Sequence, residues 1–214
     1  MKKLIIPLLF IFAIGILAAV ESEPSAIVGY VKYPCVEGLN HIALPMDQGL
    51  TMASDWAAGY PGIIDNMSYW DNITQTWVAA INLLGNWFGD YPVHPGSVMM
   101  INALSPFNAY SIGNMPATNA TYSLLPGLND IMIPLNRSDI TMAGQVGDEM
   151  QVLDNISKWD NNTQTWVATI NLLGNWFGDY PVVIGFPLQV NALSPVTWPS
   201  RTISSPVSPE KQSK

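Results

Sequence analysis

The chain has 214 residues, room for one large domain or two small ones, each able to bury a modest core. Lys plus Arg total 8 against 16 Asp plus Glu, a formal charge of -8 that excludes nucleic acid as a partner, because that contact needs a basic surface to release counterions from phosphate. The single cysteine, Cys35, excludes an internal disulfide framework and an all-cysteine metal centre, and is expected to act as a small buried hydrophobe.

The N-terminus reads Met-Lys-Lys, then an apolar run from Leu4 to Val20, with small Ala18 and Ala19 just before polar Glu21-Ser22-Glu23-Pro24. That is the pattern of a secretory signal over 1–22, cleaved near Ala19 or Ser22. Left uncleaved, the run would be an anchor near the lower limit for spanning a bilayer, and it is the only membrane contact expected. Loss of Lys2 and Lys3 with it takes the formal charge from -8 to -10.

Ile27 to Val36 is a β-rich run, and His41 to Met46 a second short apolar strand. Thr51 to Gly59, TMASDWAAG, predicts a short helix with a hydroxyl N-cap and a glycine stop. Ile63 to Trp70 predicts a strand, joined through DNITQ to TWVAAINLL as a hairpin whose turn suits Asp71 and Asn72. Pro95-Gly96 then introduces a last strand, Val98 to Leu104.

Most of that series then returns, although Ile184-Gly185 keeps only the glycine of the Pro95-Gly96 pair. TQTWVAAINLLGNWFGDYPV at 74–93 recurs at 163–182 with Thr169 for Ala80 as its only change, an offset of 89 positions. The match extends outward: GLNHIALP from Gly38 with GLNDIMIP from Gly127, DNMSYWDN from Asp65 with DNISKWDN from Asp154, INALSP with VNALSP. Two tandem repeats of about 80 residues result, 26–106 and 115–195. The expected fold class is α+β, mainly β, each repeat holding several strands and one short helix. Phe107 to Asn114 is too short and apolar for a free linker, so the two are expected to pack about a pseudo-twofold axis. Residues 202–214, rich in Ser, Pro and Lys, are expected to form a disordered tail.

Chemistry-bearing motifs are sparse. HExxH, GxSxG, GxxxxGK[ST] and GxGxxG do not occur, and neither His41 nor His94 is shared between repeats. No cofactor, metal or catalytic residue is expected. The shared acids, Asp65 with Asp154, Asp71 with Asp160 and Asp90 with Asp179, leave open a paired-carboxylate hydrolase or a calcium site, but structural use at turns is the simpler expectation. The aromatic residues leave a second possibility. Trp70 and Trp77, repeated as Trp159 and Trp166, flank the hairpin turn and are expected either to pair across strands or to stack on sugar faces. Trp56 and Trp198 have no Trp counterpart, which makes them candidates for an added glycan contact. Six N-x-S/T triplets, at Asn66, Asn72, Asn119, Asn136, Asn155 and Asn161, are taken as chance in an Asn-rich and Thr-rich chain whose lysine-led signal looks bacterial.

Four elements recur in fixed order: IALPM/IMIPL, the TMA helix start, DNxSxWDxxTQTW, and GDYPVxxG leading to INA or VNA. In these the chain resembles a tandem repeat module of secreted and cell-surface proteins of Gram-negative bacteria, often found beside immunoglobulin-like or fibronectin-like domains. The resemblance spans roughly 26 to 200, implies no activity and carries over no functional residue. Together these observations give the expectation of a secreted, non-enzymatic structural or interaction module in the periplasm, on the outer surface or outside the cell. Its partner is expected to be a cell-surface protein or a polysaccharide, and the alternative is a carbohydrate-binding module.

Overall fold

The computed structural model describes residues 28–200; the expected signal over 1–22 and tail over 202–214 lie outside the described residues. Each half of the chain folds into the same set of elements. The first half holds β1 (Val28–Cys35), β2 (Gly38–Leu44), α1 (Ala53–Ala57), β3 (Ile64–Asp71), β4 (Thr76–Leu83), β5 (Asn86–Phe88), β6 (Ser97–Ala103) and β7 (Phe107–Asn114). The second holds β8 (Tyr122–Leu124), β9 (Gly127–Met132), α2 (Ala143–Met150), β10 (Leu153–Asp160), β11 (Thr165–Leu172), β12 (Asn175–Phe177), β13 (Pro187–Ala192) and β14 (Val196–Trp198).

Each unit is a five-stranded antiparallel sheet, β2-β6-β3-β4-β5 or β9-β13-β10-β11-β12, with a two-stranded ribbon, β1-β7 or β8-β14. The mainly β class with one short helix per repeat is what the sequence predicts. The segment Phe107–Asn114 is a strand, paired along its whole length with β1. It therefore completes the first unit, and β14 is its counterpart in the second.

Strands β2, β6 and β13 are buried on consecutive residues and so on both faces of their sheets. The inner face of the first sheet, Ile42, Leu44, Met67, Ala80, Met99 and Ile101, packs against α1 and the β1-β7 ribbon. Ile131, Ile133, Ile156, Leu188 and Val190 do the same under α2. Cys35 and Leu124 occupy equivalent places in these cores, and burial pushes the Cys35 thiol up to about 11, which keeps it protonated and inert. A small seam cluster of Ala43, Val98 and Met132, with Tyr33 and Tyr122 beside it, joins the units.

Two local details differ from the sequence expectation. Helix α1 starts at Met52 as N-cap rather than at Thr51, because Asp55 reaches back to accept from the Thr51 and Met52 amides. The first hairpin is followed by a second, tighter one. Leu84 and Gly85, both at positive φ (54° and 88°), form the two-residue turn between β4 and β5, and Leu173 and Gly174 repeat it at 55° and 84°.

Candidate functional site

The WDNxTQTW hairpin of each unit reaches across to the other unit. Trp70 donates its indole N–H to the Leu128 carbonyl at 2.8 Å, and Trp159 does so to Leu39 at 2.9 Å. The Gln75 amide closes a two-point contact with the Leu128 backbone, donating at 3.0 Å and accepting at 2.8 Å, and Gln164 does the same with Leu39 at 2.9 and 2.8 Å. Asn72 donates to the Ser123 carbonyl and Asn161 to that of Pro34, both at 3.2 Å. Tyr33 donates to Gly185 and Tyr122 to Gly96, at 2.8 and 2.9 Å. Each of these bonds has a mate 89 positions away, which makes the contact isologous within one chain, and Asn72 adds one bond without a mate, to the Asn129 side chain at 2.9 Å.

Glycine permits this approach. Gly38 and Gly127 sit at φ +97° and +105°, and a Cβ on either would run into the carboxamide of the other unit's glutamine. At the centre the equivalent residues His41 and Asp130 face each other, Nε2 to Oδ2 3.6 Å, both side chains almost wholly buried. Gln189 donates to the other Asp130 oxygen at 3.2 Å, while His41 stands edge-on to Trp166.

The shared acids are used structurally. Asp71 and Asp160 accept from the Ile73 and Asn162 amides in the hairpin turns, which lowers both pKa values. Asp90 and Asp179 accept from the Ser54 and Gly144 amides at the starts of α1 and α2. Asp65 and Asp154 are the extra residues of β-bulges, each accepting from an asparagine, Asn102 or Asn191, at 2.8 Å. Among the described residues no group of three or more His, Cys, Asp or Glu gathers as a metal set.

The tryptophans divide by role. Trp56 and Trp198 are only 4% and 1% exposed, so neither offers a ring to a glycan. The absence of a Trp counterpart for each reflects core packing, not an added contact. Trp70 pairs with Trp77 and Trp159 with Trp166, directly across strands and edge-to-face at 5.4 and 5.3 Å. Trp70 and Trp159 spend their indole N–H groups on the other unit, whereas Trp77 keeps 39% of its surface exposed. Asn72 and Asn161, two of the six N-x-S/T asparagines, commit their amide nitrogens to the same interface.

Trp77, Trp159 and Trp166 wall an open groove of about 560 Å³ on the outer face of the first sheet. Its floor is Leu39, Asp65, Asn66, Ser68, Ala79, Ile81, Met100 and Asn102. The volume lies within the ~300–1,000 Å³ of small-ligand sites. Two smaller clefts flank the seam, one beside Trp70, Tyr122 and Asp130, its counterpart beside Trp159, Tyr33 and His41. The interface use of Gln75, Gln164, Asn72 and Asn161 was not anticipated from the sequence, although the glutamines lie in the near-identical run and the asparagines in the matched segment just before it. Comparison of the chain with protein-family models, curated proteins and solved structures finds no match.

Proposed function

We propose that the protein is a secreted, non-enzymatic interaction module of the bacterial extracytoplasmic space, which presents two copies of one apolar face to a partner at the cell envelope. The observation that carries this is the second hairpin. Ile81, Leu83, Leu84 and Phe88 are exposed on the first unit, as are Ile170, Leu172, Leu173 and Phe177 on the second. Contiguous exposed apolar residues of this kind mark interaction surfaces. Leu84 and Leu173 are fully exposed and held in left-handed backbone, where a leucine costs about 1 kcal/mol or more and water offers its side chain no compensation. A tight turn of this type favours Asn-Gly.

This gives a test in which fold and function move in opposite directions. Leu84→Asn with Leu173→Asn should raise the thermal midpoint, by roughly 1 kcal/mol of stability per site. The same variant should lose co-sedimentation of the mature protein with intact bacterial envelopes. Equal co-sedimentation of wild type and variant, or turnover of an envelope polymer by the purified protein, overturns the proposal.

A further inference from the structure

Resting on that reading, we infer that the groove over the first sheet binds a neutral polysaccharide chain. A row of side chains, Leu39, Asn102, Asn66, Ile81 and Phe88, crosses all five strands of the outer face in direct register. At the usual strand spacing the row is about 19 Å long, enough for several sugar rings. The row sets two adjacent carboxamides, Asn102 and Asn66, between apolar ends, Leu39 on one side and Ile81 with Phe88 on the other, so hydrogen-bonding groups lie beside surface that suits the apolar C–H face of a pyranose.

Trp77 supplies the exposed aromatic surface, and Trp159 and Trp166 form the wall contributed by the other unit. Polar capacity lies on the floor between them. The Asn66 side-chain carboxamide and the Ser68 hydroxyl make no hydrogen bond to another described residue. The bulge at Asp65 points its carboxylate at Asn102, engaging one oxygen at 2.8 Å and leaving the other to accept from a hydroxyl. Asn102 in turn keeps its carbonyl oxygen as an acceptor. With a carboxylate in the floor and a formal charge of -8 on the chain, a polyanion is repelled and a neutral polymer is the fitting occupant.

The test is affinity electrophoresis of the mature chain through native gels containing hydroxyethylcellulose, xylan, mannan or laminarin, with polygalacturonate as the polyanionic control. At least one neutral polymer should retard migration and polygalacturonate should not. Trp77→Ala should weaken that retardation about tenfold, the scale of a lost aromatic stacking contact. Since Trp77 also packs on Trp70, Asn66→Ala serves as a second variant; its near-UV circular dichroism should stay unchanged while its affinity falls. Migration unaffected by all four neutral polymers overturns the inference, as does wild-type affinity in both variants. Envelope co-sedimentation that survives such a result overturns only the choice of glycan, whereas loss of both overturns the interaction module as well.

Discussion

The bases of the two cores fill the same space from opposite sides. In the first unit the large ring sits on the helix, Trp56 of α1, and the last strand offers Ala109. In the second the helix carries Val146, and the last strand carries Trp198. Around Trp56 the neighbours are aromatic, Tyr60 at 4.9 Å and then Phe107 at 5.0 Å from Tyr60. Around Trp198 one neighbour is aromatic, Tyr122 stacked at 6.3 Å, and the others are charged: its indole N–H donates to Glu149 at 2.6 Å, and buried Arg137 lies over the ring while bonding Glu149 and Asp139. The cores have diverged by compensation, a large residue here answered by a small one there, as close packing requires.

The run 74–93 and its copy at 163–182 have not diverged in this way. Gln75 must serve its own turn and the other unit's backbone, and Asp90 must cap a helix, so those positions are held by structure. Leu83, Leu84 and Phe88 touch neither core. Their identity with Leu172, Leu173 and Phe177 is therefore not imposed by packing in either core.

The largest effect should come from emptying one core base. Trp198→Ala should destabilise by about 3–5 kcal/mol in denaturant unfolding, and by more than Trp56→Ala, because it also strips Glu149 and Arg137 of a partner. Ala109→Trp alone should be destabilising, and pairing it with Trp56→Val should recover part of the loss, with a coupling of roughly 1–3 kcal/mol. Absence of coupling would break the idea of compensation. Next comes the interface. Gln75→Ala and Gln164→Ala each remove two bonds to the opposite backbone and should each cost roughly 1–3 kcal/mol, equal within error if the pseudo-twofold is energetic as well as geometric.

The smallest effect should be in acid. Asp55 caps α1, and backbone amides at Met52 and Thr51 hold its carboxyl below the usual range; at the same place in α2 the cap is Gln145, which does not titrate. A carboxylate whose folded pKa is depressed contributes stability above its unfolded pKa, near 3.9, and loses it as the pH falls through the lower folded value. Amide exchange in α1 should therefore rise below about pH 4 while that in α2 does not respond to this group. Asp55→Gln should make the two helices alike.

Much of this architecture was legible because the repeat announces it. Strand positions, the Trp pairs across the hairpin and the short helix follow from local pattern. The three-residue strands β5 and β12 were not, since they follow a glycine and are too short to show a period. Trp56 and Trp198 misled because a lone large residue reads as an addition, and only the facing Ala109 and Val146 reveal an exchange. The groove escaped for a different reason: its walls come from residues of the other unit, Trp159 and Trp166, far away in sequence.

The meeting of His41 and Asp130 at the centre has one more consequence. A position on a twofold axis touches its own copy, so in a dimer of identical chains it must pair like with like. Joining the two units in one chain lifts that restriction. Two first units brought together would oppose histidine to histidine, and two second units would oppose carboxylate to carboxylate in a dry site, an unfavourable meeting. The single chain instead sets a histidine against an acid, so the two sides of the seam are chemically distinguishable.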